Sequence, residues 1–185
     1  MEPEAPPHEV KSQPSEAPPR LPSICGDFHI RIDRNGTWYY LNSPIGRLAL
    51  AKLFATVLRR EADGTYWLTT PAENGRIDVE DVPFVAVELM TEGQGRHRMV
   101  SFRTNLDDFV ILGPDHPLRM GSDAVSGAPA PYILIRAGLE ARLARSVYYH
   151  LVDIGEPSPD DGEVLGVWSR GKFFPIGGTI DGDPP

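Results

Sequence analysis

Cysteine, positive charge and long apolar runs are all scarce in this chain. Cys25 is the single cysteine, so no disulfide within the chain and no zinc cage of several cysteines can form, which favours a reducing compartment. Lys and Arg number 18 against 26 Asp and Glu. The net charge of -8 argues against a general nucleic-acid binder, because such proteins cluster Lys and Arg to neutralise phosphates.

Targeting signals and catalytic motifs are missing as well. No stretch approaches the roughly 18 apolar residues that a membrane span needs, and the acidic start has no signal-peptide core. We therefore predict a cytoplasmic protein that does not bind membranes. Gly93-Gln94-Gly95 lacks the third glycine and the following helix of a phosphate-binding loop, and no nucleophile elbow is present. These absences favour a protein that is not an enzyme and has no cofactor.

Proline, glycine and hydrophobic periodicity divide the chain into four predicted segments. Residues 1–24 are predicted to be a disordered, proline-rich tail, and residues 178–185 a frayed C-terminus. Between them, residues 25–92 and 93–177 each combine strand patterns with one amphipathic helix. The predicted fold class is α+β, with two tandem and structurally related units, each a mainly antiparallel sheet with one helix.

Turn and capping signals give the element boundaries. A hairpin is predicted over 28–41 around Arg34-Asn35-Gly36, and a helix over 43–60, because Ser43-Pro44 is a good helix start. A second amphipathic helix is predicted over 136–152. Before it, residues 113–131 are rich in Gly, Pro, Ser and Asp and predict a long loop, a frequent place for a binding site.

The two halves share an order of features, in which an amphipathic helix precedes an Asp-Gly turn and a strand containing tryptophan. The chain resembles an uncharacterised bacterial family known as domain of unknown function 1285. The segments that carry this resemblance are Asn35–Tyr40, Ser43–Ile45, Leu53–Leu58, Val79–Phe84, Phe102–Asn105 and Gly138–Arg142. The resemblance implies two α+β units with curved, partly barrel-like sheets and no established activity. By analogy of fold, it invites a role in signal transduction.

The second predicted helix carries the candidate binding site. Arg142, Arg145 and Tyr149 are spaced by three and four residues, which places them on one helix face, and Arg136 lies near the helix start. Guanidinium pairs bind carboxylates and phosphates with two hydrogen bonds each, and a phenol adds a directed hydroxyl. His116, in the predicted loop, is a titratable candidate for the same site.

Two simpler interpretations compete with this site. The arginines can form a solvated helix face with one of them paired to Glu140. A carboxylate cluster of Glu73, Asp78 and Glu80, around a predicted turn at Asn74-Gly75, is a weak candidate for binding a divalent cation, although its spacing matches no calcium-loop pattern.

Three functions therefore remain open. The favoured one is a cytoplasmic binding or regulatory module that takes a small anionic metabolite or a peptide between its two units. The second is an interaction protein that forms a homodimer through consecutive aromatic residues, and the third is a hydrolase that uses the carboxylates or a metal. The aromatic residues are Trp38, Tyr39, Tyr40, Phe173 and Phe174.

Overall fold

The computed structural model describes residues 24–123 and 127–177. The predicted tail lies outside these residues except for Ile24, which begins the first strand, and the predicted frayed end 178–185 lies outside them entirely. Over the described ranges, neither helix has the length and hydrophobicity that crossing a membrane would require.

A six-stranded sheet forms the first half of the chain. The strand order is β3-β2-β1-β6-β5-β4, and all neighbours are antiparallel except β1 and β6. The strands are β1 (Ile24–Ile32), β2 (Trp38–Tyr40), β3 (Ser43–Pro44), β4 (Leu58–Arg60), β5 (Tyr66–Thr69) and β6 (Glu73–Val79). The predicted hairpin is confirmed, since β1 and β2 pair around the turn at Arg34–Gly36.

The first helix is shorter than predicted. Helix α1 spans Leu48–Thr56, whereas Ser43-Pro44 forms the edge strand β3 and residues 58–60 form β4. The prediction over 43–60 was wrong at both ends because backbone pairing with β2 and β5 satisfies these flanking residues in place of helical hydrogen bonds. The buried face of α1 consists of Ala51 and Ala55.

The residues predicted as a turn at Asn74-Gly75 lie inside β6. Gly75 pairs with Gly26 of β1 and Leu68 of β5, and the ring of Phe28 occupies the space where a Cβ on Gly75 would be. Glycine is therefore required here for close packing against Phe28. The Asn74-Gly75 pair has the composition of a turn, which is why the sequence predicted one.

The second half of the chain forms another six-stranded sheet in the order β10-β11-β12-β7-β8-β9, antiparallel except between β12 and β7. The strands are β7 (Phe84–Glu92), β8 (Met99–Thr104), β9 (Phe109–Ile111), β10 (Leu118–Ser122), β11 (Pro129–Arg136) and β12 (Leu139–Leu143). Strand β7, assigned by sequence to the first unit, thus pairs within the second sheet. Gly93 and Gly95, both with positive φ, turn the chain between β7 and β8 and do not separate two units.

Two predictions in this half need correction. Much of the predicted loop 113–131 is the antiparallel pair β10 and β11, with residues 124–126 outside the described ranges. The predicted helix over 136–152 divides into β12 and helix α2, which spans Arg145–Asp153. Leu139, Ala141 and Leu143 are buried at every second position, which is the period of a strand, whereas the spacing of four between Leu139 and Leu143 also fits a helix.

A three-stranded antiparallel sheet closes the fold. It consists of β13 (Glu156–Pro157), β14 (Leu165–Ser169) and β15 (Lys172–Gly177), and α2 packs between β14 and β7. In both halves a helix therefore precedes a hairpin with a tryptophan, Trp67 in β5 and Trp168 in β14. The pairing differs, because β5 belongs to the large first sheet and β14 to this separate small one.

One hydrophobic core joins the parts. It contains Ile32 and Trp38 from the first sheet, Phe84 and Phe102 from the second, and Ile176 from the third. The predicted α+β class with two tandem, mainly antiparallel sheets is confirmed. Burial of the consecutive aromatics decreases along β2, from buried Trp38 to exposed Tyr40, and in β15 Phe174 is buried whereas Phe173 is half-buried.

Candidate functional site

A cleft of about 530 Å³ lies where the two large sheets meet. We call it the arginine cleft and define it by Arg34, Asp123, Arg142, Arg145 and Tyr149. Its walls are the β1–β2 turn, Asp123 after β10, Ala128 before β11, the end of β12 and the first turns of α2. Each element supplies its polar residue where a strand or helix ends, so the side chains converge although they are far apart in sequence.

Asp123 organises the cleft. Its buried Oδ2 accepts hydrogen bonds from Arg34 Nη2 at 2.7 Å and from Arg142 Nη1 at 2.6 Å. Arg142 Nη2 donates to the backbone carbonyl of Arg34 at 2.7 Å. One carboxylate therefore orients two guanidinium groups, one from each half of the chain. Charge-assisted hydrogen bonds of this length are the strong ones in proteins.

A second acidic group lies beside Arg142. Arg142 Nε is 3.5 Å from Asp81 Oδ2, and Nε itself is buried without a hydrogen-bond partner in the described part of the chain. Asp81 accepts a hydrogen bond from the Tyr132 hydroxyl at 3.1 Å. Burial raises the pKa of Asp81, and the hydrogen bond from Tyr132 and the charge of Arg142 offset part of this shift. Burial together with the Asp81 charge raises the pKa of Tyr132 to about 12.

The open wall of the cleft belongs to α2. Arg145 is exposed and makes no ion pair with any residue that the structure describes, and Tyr149 next to it is 57% exposed. Ala144 provides no side-chain cap, and the first turn of α2 contains no acidic residue. Free N–H groups and the helix dipole favour an anion at such a helix start. The residues that line the cleft include three guanidinium groups, from Arg34, Arg142 and Arg145, and one carboxylate, from Asp123.

The predicted site residues fall into two groups. Arg142, Arg145 and Tyr149 line the arginine cleft together, although Arg142 belongs to β12 and not to the helix that was predicted to carry all three. Arg136 lies elsewhere, where Nη2 donates to the Ala55 carbonyl at 2.7 Å. His116 is also outside the cleft, with Nδ1 2.9 Å from the Leu134 carbonyl oxygen.

The predicted partner of the arginine face is different as well. Glu140 accepts two hydrogen bonds of 2.6 Å from Arg119, so it does not pair with Arg142 or Arg145. Arg119 also stacks on the ring of Tyr132, with 4.4 Å from its guanidinium carbon to the ring centroid.

The carboxylates considered as a metal site do not meet in one place. Glu80 forms an ion pair with Arg31 and accepts the backbone N–H of Arg34, while Asp78 and Glu73 are exposed. Across residues 24–123 and 127–177, no group of three His, Cys, Asp or Glu side chains is placed to hold a metal ion.

Sequence reasoning missed two members of the cleft. The sequence assigns Arg34 only to a hairpin turn, and the candidate taken from 113–131 is His116, although Asp123 lies in the same segment. A buried acidic residue in a Gly- and Pro-rich segment gives no periodic signal. Only the approach of the β1–β2 turn to β12 shows that Asp123 has two cationic partners.

Comparisons with known proteins agree with this architecture. Residues 20–82 match the model described as "Domain of unknown function (DUF1285), N-terminal domain", and residues 83–176 match "Protein of unknown function (DUF1285), C-terminal domain". The change from one to the other falls immediately before β7, where the chain enters the second sheet. A search of curated proteins finds no match.

Two crystal structures are similar to the chain. A DUF1285 family protein from Silicibacter pomeroyi DSS-3 is 42% identical, with a TM-score of 0.77, and the alignment covers 89% of this chain and 88% of that one. A DUF1285 family protein from Shewanella baltica OS155 is 27% identical, with a TM-score of 0.53, covering 67% of this chain and 90% of the other. The two family models together span nearly all described residues, and the chain therefore belongs to the DUF1285 family.

Proposed function

We propose that the protein is a non-enzymatic binding or regulatory module that takes a small anionic ligand in the arginine cleft. A carboxylate or phosphate group would contact Arg145 and the start of α2, with the Tyr149 hydroxyl as a further donor. The proposal rests on the observation that the three arginines of the cleft differ in whether they have an anionic partner. Arg34 and Arg142 are held by Asp123, whereas Arg145 points at the same cleft without an anionic partner among the described residues.

The cleft supports binding over catalysis. Its acidic residue, Asp123, is already hydrogen bonded to two guanidinium groups and is not placed as a free general base. The walls come from both halves of the chain, so an anion bound at Arg145 would change the charge of a cleft in which the two halves meet. A ligand-dependent change of this kind is what a signal-transducing module would use, and a peptide carboxylate would satisfy the same groups as a metabolite.

The experiment is a titration with inorganic phosphate and with citrate, followed by thermal unfolding. Both probes should raise the midpoint temperature of the wild-type protein, since a ligand that binds only the folded state stabilises it. Arg145→Ala should remove most of the increase and leave unfolding without ligand nearly unchanged, because Arg145 is exposed.

The matched control is Arg59→Ala, which removes another exposed arginine on the edge strand β4, away from the cleft. It should retain the full ligand response. An equal loss of response in both variants would mean that the anions act through general surface charge, and no response in the wild-type protein would reject the proposed ligand class.

A further inference from the structure

A second cavity lies on the first sheet, remote from the arginine cleft. It is a groove of about 720 Å³ between α1 and the sheet, and we call it the apolar groove. Ligand pockets for small molecules span about 300–1,000 Å³, so the groove is in the range for such a ligand. Its apolar walls are formed by Phe28, Ile45, Leu50, Phe54, Val57 and Leu68.

Charge is distributed unevenly around this groove. Asp27 and Glu73 lie on the wall where the parallel strands β1 and β6 begin, whereas Arg47 lies on the wall where α1 begins. Arg47 is exposed, and its side chain has no ion pair with any residue in the described ranges. The groove therefore offers a single uncompensated cation at one wall.

The start of α1 adds to this positive end. No side chain caps the helix within the described structure, and its first turn holds no acidic residue. Leu50 and Ala51 both donate their N–H groups to the Arg47 carbonyl, which leaves the amides of Leu48 and Ala49 directed out of the helix end. Arg47 and these amides favour a negatively charged group at the same wall.

The rim of the groove is strained. His29, Leu41 and Asn42 have φ values of 51°, 47° and 63°, and the Leu41 N–H donates to the His29 carbonyl at 3.1 Å. A left-handed conformation is unfavourable for a non-glycine residue. Leu41 is nevertheless 58% exposed, so burial within the chain does not offset this cost. Leu41 and Asn42 form the two-residue loop between β2 and β3, a position at which hairpin turns commonly have positive φ.

We propose that the apolar groove binds an amphipathic carboxylate, a molecule with a single anionic head and an aliphatic or aromatic body. The head contacts Arg47 and the start of α1, and the body lies along the apolar wall towards Phe28. Asp27 and Glu73 would repel a carboxylate at the opposite wall, so the charges define one orientation. Exposed Leu48 and Leu53 continue the apolar surface around Arg47 for longer chains.

The test uses decanoate below its micelle concentration, with 1-decanol as the uncharged probe of equal chain length. Isothermal titration should show saturable decanoate binding. Amide shift changes in labelled protein should be confined to β1, the β2–β3 turn and α1. Arg47→Ala should weaken decanoate about tenfold or more, the loss expected for one charge-assisted contact, with little effect on decanol.

Two arginine variants separate this groove from other sites. Arg145→Ala in the arginine cleft and Arg59→Ala on β4 should both leave decanoate affinity unchanged. If Arg145→Ala abolishes binding and Arg47→Ala does not, the carboxylate binds the arginine cleft and the groove proposal is wrong.

The same experiments would also detect other occupants of the apolar groove. Decanol binding as tight as decanoate would refute the role of Arg47. If sedimentation shows a dimer that Leu53→Glu dissociates, and decanoate does not bind, a second copy of the chain covers the groove and the ligand proposal is refuted.

Discussion

Asp123 and Asp107 each accept hydrogen bonds from two cationic side chains, but Asp123 is buried and Asp107 is not. Comparing them tests how burial determines the contribution of an ion pair to the free energy of unfolding. Asp123 accepts hydrogen bonds from Arg34 and Arg142, and Asp107 from Lys52 at 2.7 Å and Arg103 at 2.9 Å. The side chain of Asp123 is 5% exposed and that of Asp107 is 41% exposed. Each carboxylate is thus hydrogen bonded to two cationic side chains, and the main difference between these two sets of contacts is solvent access.

Asp123→Asn should lower the free energy of unfolding by about 3 kcal/mol at neutral pH, near the low end of values for breaking a buried ion pair. Most of this loss comes from Arg142, which is 17% exposed. Arg34 is 36% exposed and adds less, because water screens it. The amide keeps the shape of the side chain but leaves two guanidinium groups close together without the carboxylate between them, and Asp81, 3.5 Å from Arg142 Nε, compensates only part of their charge. Asp107→Asn should cause a much smaller loss.

The assay is urea unfolding of both variants at low and at moderate salt. Sulfate should partly restore Asp123→Asn, because a dianion can take the place of the missing carboxylate between the guanidinium groups, and it should have no comparable effect on Asp107→Asn. Equal losses in the two variants would refute the claim that burial makes the Asp123 pairs strong. The same conclusion would follow if sulfate failed to distinguish the variants.

Three further predictions concern the surroundings of the cleft. Tyr132, whose pKa is raised from 10.0 to about 12, should make the protein lose stability as pH rises through this window, because the unfolded chain releases the phenolic proton first; Tyr132→Phe should flatten alkaline unfolding curves, and an unchanged slope would contradict this. Asp81 has a raised pKa, so its contribution is present below pH 3.8 and is lost as pH rises through the folded-state pKa. Asp81→Asn should therefore reduce the fall in stability above pH 3.8 in urea titrations, and an increased fall would show the opposite sign. Asn105 accepts the Val85 N–H at 3.0 Å and donates to the Gly36 carbonyl at 2.9 Å; Asn105→Ala should cost about 2 kcal/mol in urea unfolding, and a loss below about 0.5 kcal/mol would mean that water replaces both bonds.

The family, the α+β class and most strands were accessible from sequence because they depend on local signals. The turn at Arg34–Gly36 is encoded by neighbouring residues, and that prediction was confirmed. The ends of the helices could not be predicted from local signals of this kind. Ser43-Pro44 has the chemistry of a helix start, but Tyr39 and Tyr40 pair with it as a short hairpin, and β2 is held in the sheet by its pairing with β1.

The candidate site shows the same division. Sequence alone indicated the chemistry of the cleft, because Arg142, Arg145 and Tyr149 are anion-binding groups close together in the chain. It could not indicate which arginine is free, since Asp123 and Arg34 reach Arg142 across 19 and 108 residues. Local propensity acts over a few residues, whereas ion pairing and burial act through space. Tertiary structure therefore decided which charges are neutralised, which remain open, and where the grooves lie.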